Sequence, residues 1–169
     1  YAPDIIKKSI QLYIDNSWYP QSIALREYYC DIYPNAPDAV KVFAKIIEDY
    51  ERWYNSIGGT ADATEGEQLW IQQEQARIRD MQNEARARFV DRYEEGSAWY
   101  EANKDNPEAM ANAREVLALN LFNVGAYTYT KIVQNPEMPE SQQLDLWQQV
   151  IDVFSRYLED YPLEEHAYE

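Results

Sequence analysis

Apolar residues recur every three or four positions along most of this chain, which is the spacing of one face of an α-helix. The pattern predicts six helices, over residues 4–15, 21–33, 37–55, 67–94, 108–133 and 142–161. No segment sustains the alternation of apolar and polar residues that marks a β-strand, and no Asn-Gly or Asp-Gly hairpin turn occurs. Because the breaks between helices are mostly short, neighbouring helices should be antiparallel. We therefore predict an all-α fold of antiparallel helix hairpins.

Residues 56–66 interrupt this pattern. They contain three of the five glycines, several small polar residues and no apolar period, so we predict a flexible loop. Thr64, followed three residues later by Glu67, fits a capping box that starts the next helix. The helix over residues 67–94 carries a narrow apolar seam, formed by Ile71, Ile78, Met81, Ala85 and Phe89. So narrow a seam predicts packing as a hairpin or coiled-coil-like element and not as a core helix. The more apolar helix over residues 108–133 should be central.

Two similar segments raise the question of an internal repeat. Residues 32–39 read IYPNAPDA and residues 160–167 read DYPLEEHA, so each places four residues between Tyr-Pro and Ala after an apolar helical pattern. Aligning Pro34 with Pro162 brings small or apolar residues together at helical spacing, including Cys30 with Leu158. Either the segments mark a repeat, or they are two amphipathic helices that both end at a proline.

The last two predicted helices resemble tetratricopeptide repeats, which pair two helices in about 34 residues. The residues that carry the resemblance are Leu121, Val124-Gly125 and Thr128 in the first helix, and Phe154, Tyr157-Leu158 and Pro162 in the second. Thr128 departs from the aromatic residue that the repeat favours. At Gly125 the missing side chain would let the paired helix approach closely.

The form of the second helix is most similar to repeats of bacterial cell-envelope proteins, such as outer-membrane assembly lipoproteins and gliding-motility repeat proteins. The resemblance implies a single repeat domain over residues 1–169, built as a short α-solenoid and cut from a longer one. It also implies a location in the bacterial periplasm or cell envelope. The cytoplasm is the alternative location.

The charge and composition of the chain limit the classes of partner that it can bind. The chain has 15 basic and 30 acidic residues, a net charge of −15, which argues against nucleic acid. Residues 137–169 hold nine acidic residues and one basic residue, Arg156. This acidity is either a solvated face or a surface that steers a neutral-to-basic partner. No apolar run reaches the roughly 18 residues of a membrane span.

Few residues suited to catalysis or metal binding are present. Cys30 is the only cysteine and His166 the only histidine, so a disulfide, a Cys-rich metal site and a Ser–His–Asp triad are not expected. We expect Cys30 to be a buried hydrophobe and His166 a surface residue. No phosphate-binding Gly-rich loop followed by Lys occurs. The sequence therefore predicts no enzyme, no cofactor and no metal.

Three Trp-Tyr pairs are the candidate binding residues, together with Tyr127: Trp18-Tyr19, Trp53-Tyr54 and Trp99-Tyr100. They are either aromatic plugs between layers or platforms for a ligand. We predict a non-enzymatic protein–protein interaction scaffold that binds a protein or peptide. A glycan-binding helical-repeat module that uses the Trp-Tyr platforms is the alternative, and a fragment of a helical hydrolase is a third hypothesis.

Overall fold

The computed structural model describes residues 2–59 and 62–162, and these residues form helices and no strands. There are seven α-helices: α1 (Ala2–Asp15), α2 (Tyr19–Ile32), α3 (Ala39–Ser56), α4 (Glu65–Tyr93), α5 (Ala98–Asn103), α6 (Pro107–Gln134) and α7 (Glu140–Asp160). The predicted all-α class is confirmed. The additional helix, α5, lies between the fourth and fifth predicted helices. It is one turn and a half long, too short to show a period, and it starts at Ser97, whose hydroxyl accepts the N–H of Tyr100.

Each long helix packs against the next one in the chain: α1 on α2, α2 on α3, α3 on α4, α4 on α6 and α6 on α7. Pairings across α3 and α4 show that these two are antiparallel, because Arg79 reaches back to Glu51 and Gln75 to Ile57. The α6–α7 pair is antiparallel too. Its ring contacts join Phe122 to Phe154 and the later Tyr129 to the earlier Trp147. The predicted hairpins are therefore present.

The core contains an aromatic cluster where α3, α4 and α5 meet. Phe43 contacts Phe89 and Tyr93 edge-on at 5.8 Å between ring centres, and Tyr93 contacts Trp99 at 5.3 Å. The indole N–H of Trp99 donates to the backbone oxygen of Ala36 at 2.8 Å. These contacts hold the short α5 against the turn between α2 and α3. Aromatic pairs of this kind stabilise a fold by more than the burial of their surface alone.

Helix α4 begins at the predicted capping box, because Thr64 and Glu67 exchange both hydrogen bonds. The prediction that this helix is not a core helix is wrong for its second half, in which Ile78, Phe89 and Tyr93 are fully buried. The buried amide of Gln82 interrupts the apolar seam, so the sequence pattern of this half does not look like that of a core helix. That amide donates to the backbone oxygen of Ile47 at 3.0 Å, so its polarity is satisfied within the core.

A buried carboxylate joins α2 to α3. Asp49 is completely buried and accepts a hydrogen bond from Ser22 at 2.6 Å, and from Arg26 at 2.9 Å.

Cys30, one helical turn after Arg26 on α2, is buried as predicted. Its thiol donates to the backbone oxygen of Ala39, and burial raises its pKa to about 11, so it is protonated at neutral pH.

The two Tyr-Pro segments end their helices in the same way. Tyr33 has φ −126° and ψ 56°, and Tyr161 has φ −131° and ψ 50°. The backbone N–H of each donates to the tyrosine four residues earlier, Tyr29 or Tyr157. After Pro34 the chain turns into α3, which begins at Ala39 rather than at Pro37. Residues 163–169, which include most of the second segment and His166, lie outside the described residues.

Candidate binding surfaces

The structure places the predicted aromatic residues in different environments. Trp99 is 1% exposed and belongs to the core, so it cannot contact a partner in this structure. Tyr100, beside it, is half-buried and lines a surface cleft. Trp18 is exposed at the turn between α1 and α2, and its ring contacts Tyr13 at 6.0 Å. Tyr19, the first residue of α2, is half-buried.

Trp53 and Tyr54 are half-buried at the end of α3, and each is covered by an arginine of α4. The guanidinium of Arg77 lies 5.2 Å from the ring centre of Trp53, and that of Arg79 lies 3.9 Å from the ring centre of Tyr54. Such cation–π contacts contribute about 0.5–1 kcal/mol at exposed sites. The two rings therefore serve the α3–α4 contact, and only their remaining exposed edges could meet a ligand.

Tyr127 is tied to α4 by a hydrogen-bonded carboxylate. Its hydroxyl donates to Asp80 at 2.8 Å, and Lys131 donates to the same carboxylate oxygen at 2.7 Å. Partial burial would raise the pKa of Asp80, but the hydrogen bonds from Lys131 and Tyr127 outweigh it, and the pKa lies below its ordinary value. This arrangement holds α6 against α4 and leaves Tyr127 engaged within the chain.

The three Trp-Tyr pairs do not form one surface. Because α2 and α3 are antiparallel, Trp18-Tyr19 and Trp53-Tyr54 lie near one end of the helices, whereas Trp99-Tyr100 lies at the other, beside the α2–α3 turn. Among the described residues no ring of one pair contacts a ring of another. A continuous aromatic platform is therefore not present, although single exposed rings remain at each end.

A cleft of about 680 Å³ opens where α4 and α7 end and α6 begins. We call it the Arg114 cleft; its lining includes Glu94, Glu95, Tyr100, Met110, Ala111, Ala113, Arg114, Leu117, Arg156, Asp160 and Tyr161. Arg156 forms an ion pair with Glu94 of α4 across it and another with Asp160 of its own helix. Arg114 lies 5.4 Å from the ring centre of Tyr161 and forms no ion pair with a described residue. The cleft thus has a lining of mixed charge, with apolar residues such as Met110 and Leu117 beside the charged ones.

A second surface lies on the hairpin of α6 and α7, and the sequence did not reveal it. Its large apolar side chains are 50–62% exposed: Leu119 and Val133 on α6, and Leu144, Ile151 and Leu158 on α7. On each helix these residues are seven or fourteen positions apart, so they form one row per helix. We call these five residues the α6–α7 face.

Both rows lie on the same side of the hairpin. Phe122 packs against Phe154, and Tyr129 packs edge-on against Trp147, with 5.7 Å between ring centres in each case. At 3.6 residues per turn, the exposed row follows the nearest of these contact positions by roughly 40–60° in both helices. In an antiparallel pair, rotation in the same sense leads to the same side of the pair. The α6–α7 face is therefore a shallow groove with apolar walls and an aromatic floor.

Periodicity alone could not have found the α6–α7 face, because exposed apolar residues at helical spacing look like core residues in a sequence. One signal was present. Helix α7 carries two apolar rows, one with Val150 and Tyr157 and one with Ile151 and Leu158, yet α6 is the only long helix that packs closely against it among the described residues. A single neighbour covers one row, and the second row is left uncovered.

Two further features bear on the kind of site. Within residues 2–59 and 62–162, no group of three or more His, Cys, Asp or Glu side chains could hold a metal ion. In the same ranges no helix is long and apolar enough to cross a membrane.

A scan of protein-family models, a search of curated proteins and a search of solved structures each found no match to this chain. The resemblance to tetratricopeptide repeats therefore rests on the residues that carry it.

Proposed function

We propose that this chain is a non-enzymatic, tetratricopeptide-like scaffold that binds another protein. The observation that supports the proposal is the α6–α7 face, where five large aliphatic side chains stand at least half exposed along one hairpin. Single exposed apolar residues are ordinary, but several of them along two neighbouring helices are typical of an interaction site. Burying such side chains releases roughly 25 cal/mol for each Å² removed from water.

The charge of the chain indicates which partner is favoured. A net charge of −15 repels acidic proteins, attracts basic ones and does not oppose neutral ones, and it acts over a distance of about 8 Å at physiological ionic strength. On the resemblance described above, the proposed compartment is the periplasm or envelope of a bacterium.

The glycan-binding alternative has less support. It drew on three Trp-Tyr platforms, of which one tryptophan, Trp99, is buried and another, Trp53, is covered by Arg77. Carbohydrate sites stack sugars on accessible aromatic faces, and Trp18 is the one tryptophan of the three pairs that is exposed.

Quantitative affinity capture tests the scaffold proposal. The wild-type chain and an Ile151→Asn/Leu158→Asn variant are immobilised in parallel and exposed to the same bacterial lysate at low and high salt. We expect at least one protein that the wild type retains, that the variant loses and that high salt weakens. If both columns retain the same proteins, or neither retains any above a blank column, the α6–α7 face does not bind proteins and the proposal is wrong.

A further inference from the structure

We propose that the α6–α7 face binds one basic amphipathic helix of another protein, an inference that rests on the proposed function. The two apolar rows of the face run from Leu144 to Leu158 on α7 and from Leu119 to Val133 on α6. Each row spans fourteen residues, or about 21 Å along the helix. An amphipathic helix of four to five turns matches that length.

A comparison of α7 with α2 indicates that the occupant is a helix. Aligning Pro34 with Pro162 places Ile23 and Cys30 of α2 opposite Ile151 and Leu158 of α7. Helix α3 packs along α2, and Ile23 and Cys30 are 5% and 0% exposed. Their counterparts Ile151 and Leu158 are 55% and 50% exposed. The side of α7 that is uncovered is thus the side of α2 that a helix covers.

One aligned pair of tyrosines has the same environment in both helices. Tyr29 and Tyr157, which the alignment pairs, are 3% and 2% exposed. Tyr29 contacts Tyr33 at 5.1 Å between ring centres, and Tyr157 contacts Tyr161 at 5.8 Å. Tyr29 and Tyr157 are thus equally buried, whereas Ile23 and Cys30 are buried in α2 and their counterparts in α7 are exposed.

The charge beside the groove identifies the chemistry of the occupant. Asp145, Asp152 and Glu159 are exposed, seven residues apart, and form an acidic row next to the apolar row of α7. None of the three forms an ion pair with a described residue. Helices α6 and α7 carry three basic residues. Lys131 pairs with Asp80, Arg156 pairs with Glu94 and Asp160, and Arg114 lies over the ring of Tyr161 at the end of α7. A helix with Lys or Arg beside its apolar row would neutralise the acidic row.

The same row argues against a second copy of this chain as the occupant. In a two-fold symmetric pair, each copy presents the same surface, so two acidic rows would border one interface. Like charges placed together across a contact are destabilising. Self-association through the α6–α7 face would therefore work against the charge that favours a basic helix.

Fluorescence anisotropy with synthetic helices tests the inference. The probe is a labelled peptide of about 18 residues with Leu at heptad positions a and d and Lys at e and g. One control peptide replaces every Lys by Glu, and another keeps the composition but shuffles the order. The proteins are the wild-type chain, the Ile151→Asn/Leu158→Asn variant and the matched Ile5→Asn/Leu12→Asn variant, which makes the same change at two exposed residues of α1.

We expect the basic amphipathic peptide to bind the wild type and the α1 variant with dissociation constants within about twofold of each other, and the α7 variant at least about tenfold more weakly. An Asp145→Asn/Asp152→Asn/Glu159→Gln variant should weaken binding and flatten its salt dependence. Circular dichroism of all variants checks that they are folded, which the exposure of the substituted residues favours.

Three results would overturn the inference: equal binding of the acidic peptide, equal binding of the shuffled peptide, or unchanged binding to the α7 variant. Size-exclusion chromatography with light scattering is the remaining test, because a dimer that the α7 substitutions dissociate would identify a second copy as the occupant. If the peptide fails while affinity capture still yields a partner that depends on the face, only the basic-helix inference is wrong. If both fail, the proposed function is wrong as well.

Discussion

Replacing Asp49 by Ala should be among the most destabilising single changes in this chain. The carboxylate is fully buried between α2 and α3, where it accepts hydrogen bonds from Ser22 and Arg26 and pairs with the more exposed Arg52 at 3.3 Å. Its removal leaves the guanidinium of Arg26, which is 9% exposed, without a counter-charge in the helix interface. Breaking a buried ion pair from one side costs about 3–5 kcal/mol.

The measurement is urea unfolding at neutral pH followed by far-ultraviolet circular dichroism, with a thermal scan beside it. For a domain of this size, about 2–4 °C are lost per kcal/mol, so the melting temperature should fall by about 6–20 °C. Asp91→Ala is the control, since Asp91 is an exposed residue of α4 and its removal changes the net charge equally. The control should change the free energy of unfolding by less than about 0.5 kcal/mol.

A second substitution separates the loss of the ion pair from the loss of packing. In the Asp49→Ala background, Arg26→Met removes the stranded charge and keeps a long side chain, so it should recover part of the lost stability. If Asp49→Ala costs less than about 1 kcal/mol, or if Arg26→Met makes the double variant still less stable, the argument from a stranded buried charge is wrong.

Three further changes test other parts of the structure. Trp99→Ala should lower the free energy of unfolding by about 3–5 kcal/mol, while Trp18→Ala, at an exposed site, should cost far less in the same denaturation assay. Thr64→Ala should cost about 1 kcal/mol and speed amide exchange in the first turn of α4. Asp80 has a lowered pKa, so its contribution is present above its unfolded pKa and lost as pH falls through the folded one. The stability difference between wild type and Asp80→Asn should therefore be constant well above pH 3.8, the ordinary pKa of an aspartate, and shrink as the pH falls below it. A difference that does not depend on pH would contradict the pairing with Lys131.

The sequence was sufficient to predict the helices because their apolar rows are long and their ends are marked. Pro34 and Pro162 follow the ends of α2 and α7, and Thr64 caps α4. The sequence was insufficient to predict that the second half of α4 is a core helix, because the buried Gln82 interrupts its apolar row. A buried amide is acceptable only where a backbone acceptor such as that of Ile47 lies within reach, and that acceptor comes from a helix distant in sequence.

Binding residues were harder to predict than helices, for a related reason. Trp99 and Trp18 look alike in sequence, each the first member of a Trp-Tyr pair near a helix end. One fills the core and the other is exposed, and what distinguishes them is whether another element covers the ring. Likewise, Ile151 and Val150 are neighbours of the same type on α7, yet only Val150 faces α6. Exposure depends on the number of neighbouring helices, which periodicity does not encode.

Gly125 connects the resemblance to the structure. A Cβ at this position would lie 3.0–3.1 Å from the ring atoms of Phe154, closer than ordinary van der Waals contact, so glycine lets α6 and α7 approach. Both residues are among those that resemble a tetratricopeptide repeat, and both determine the spacing within the hairpin. The same close approach brings the rows of Leu119 and Ile151 to the two sides of one shallow groove. The residues that fix the hairpin therefore also create the surface on which the proposed function rests, and a bulky side chain at position 125 should weaken partner binding even though it touches no partner.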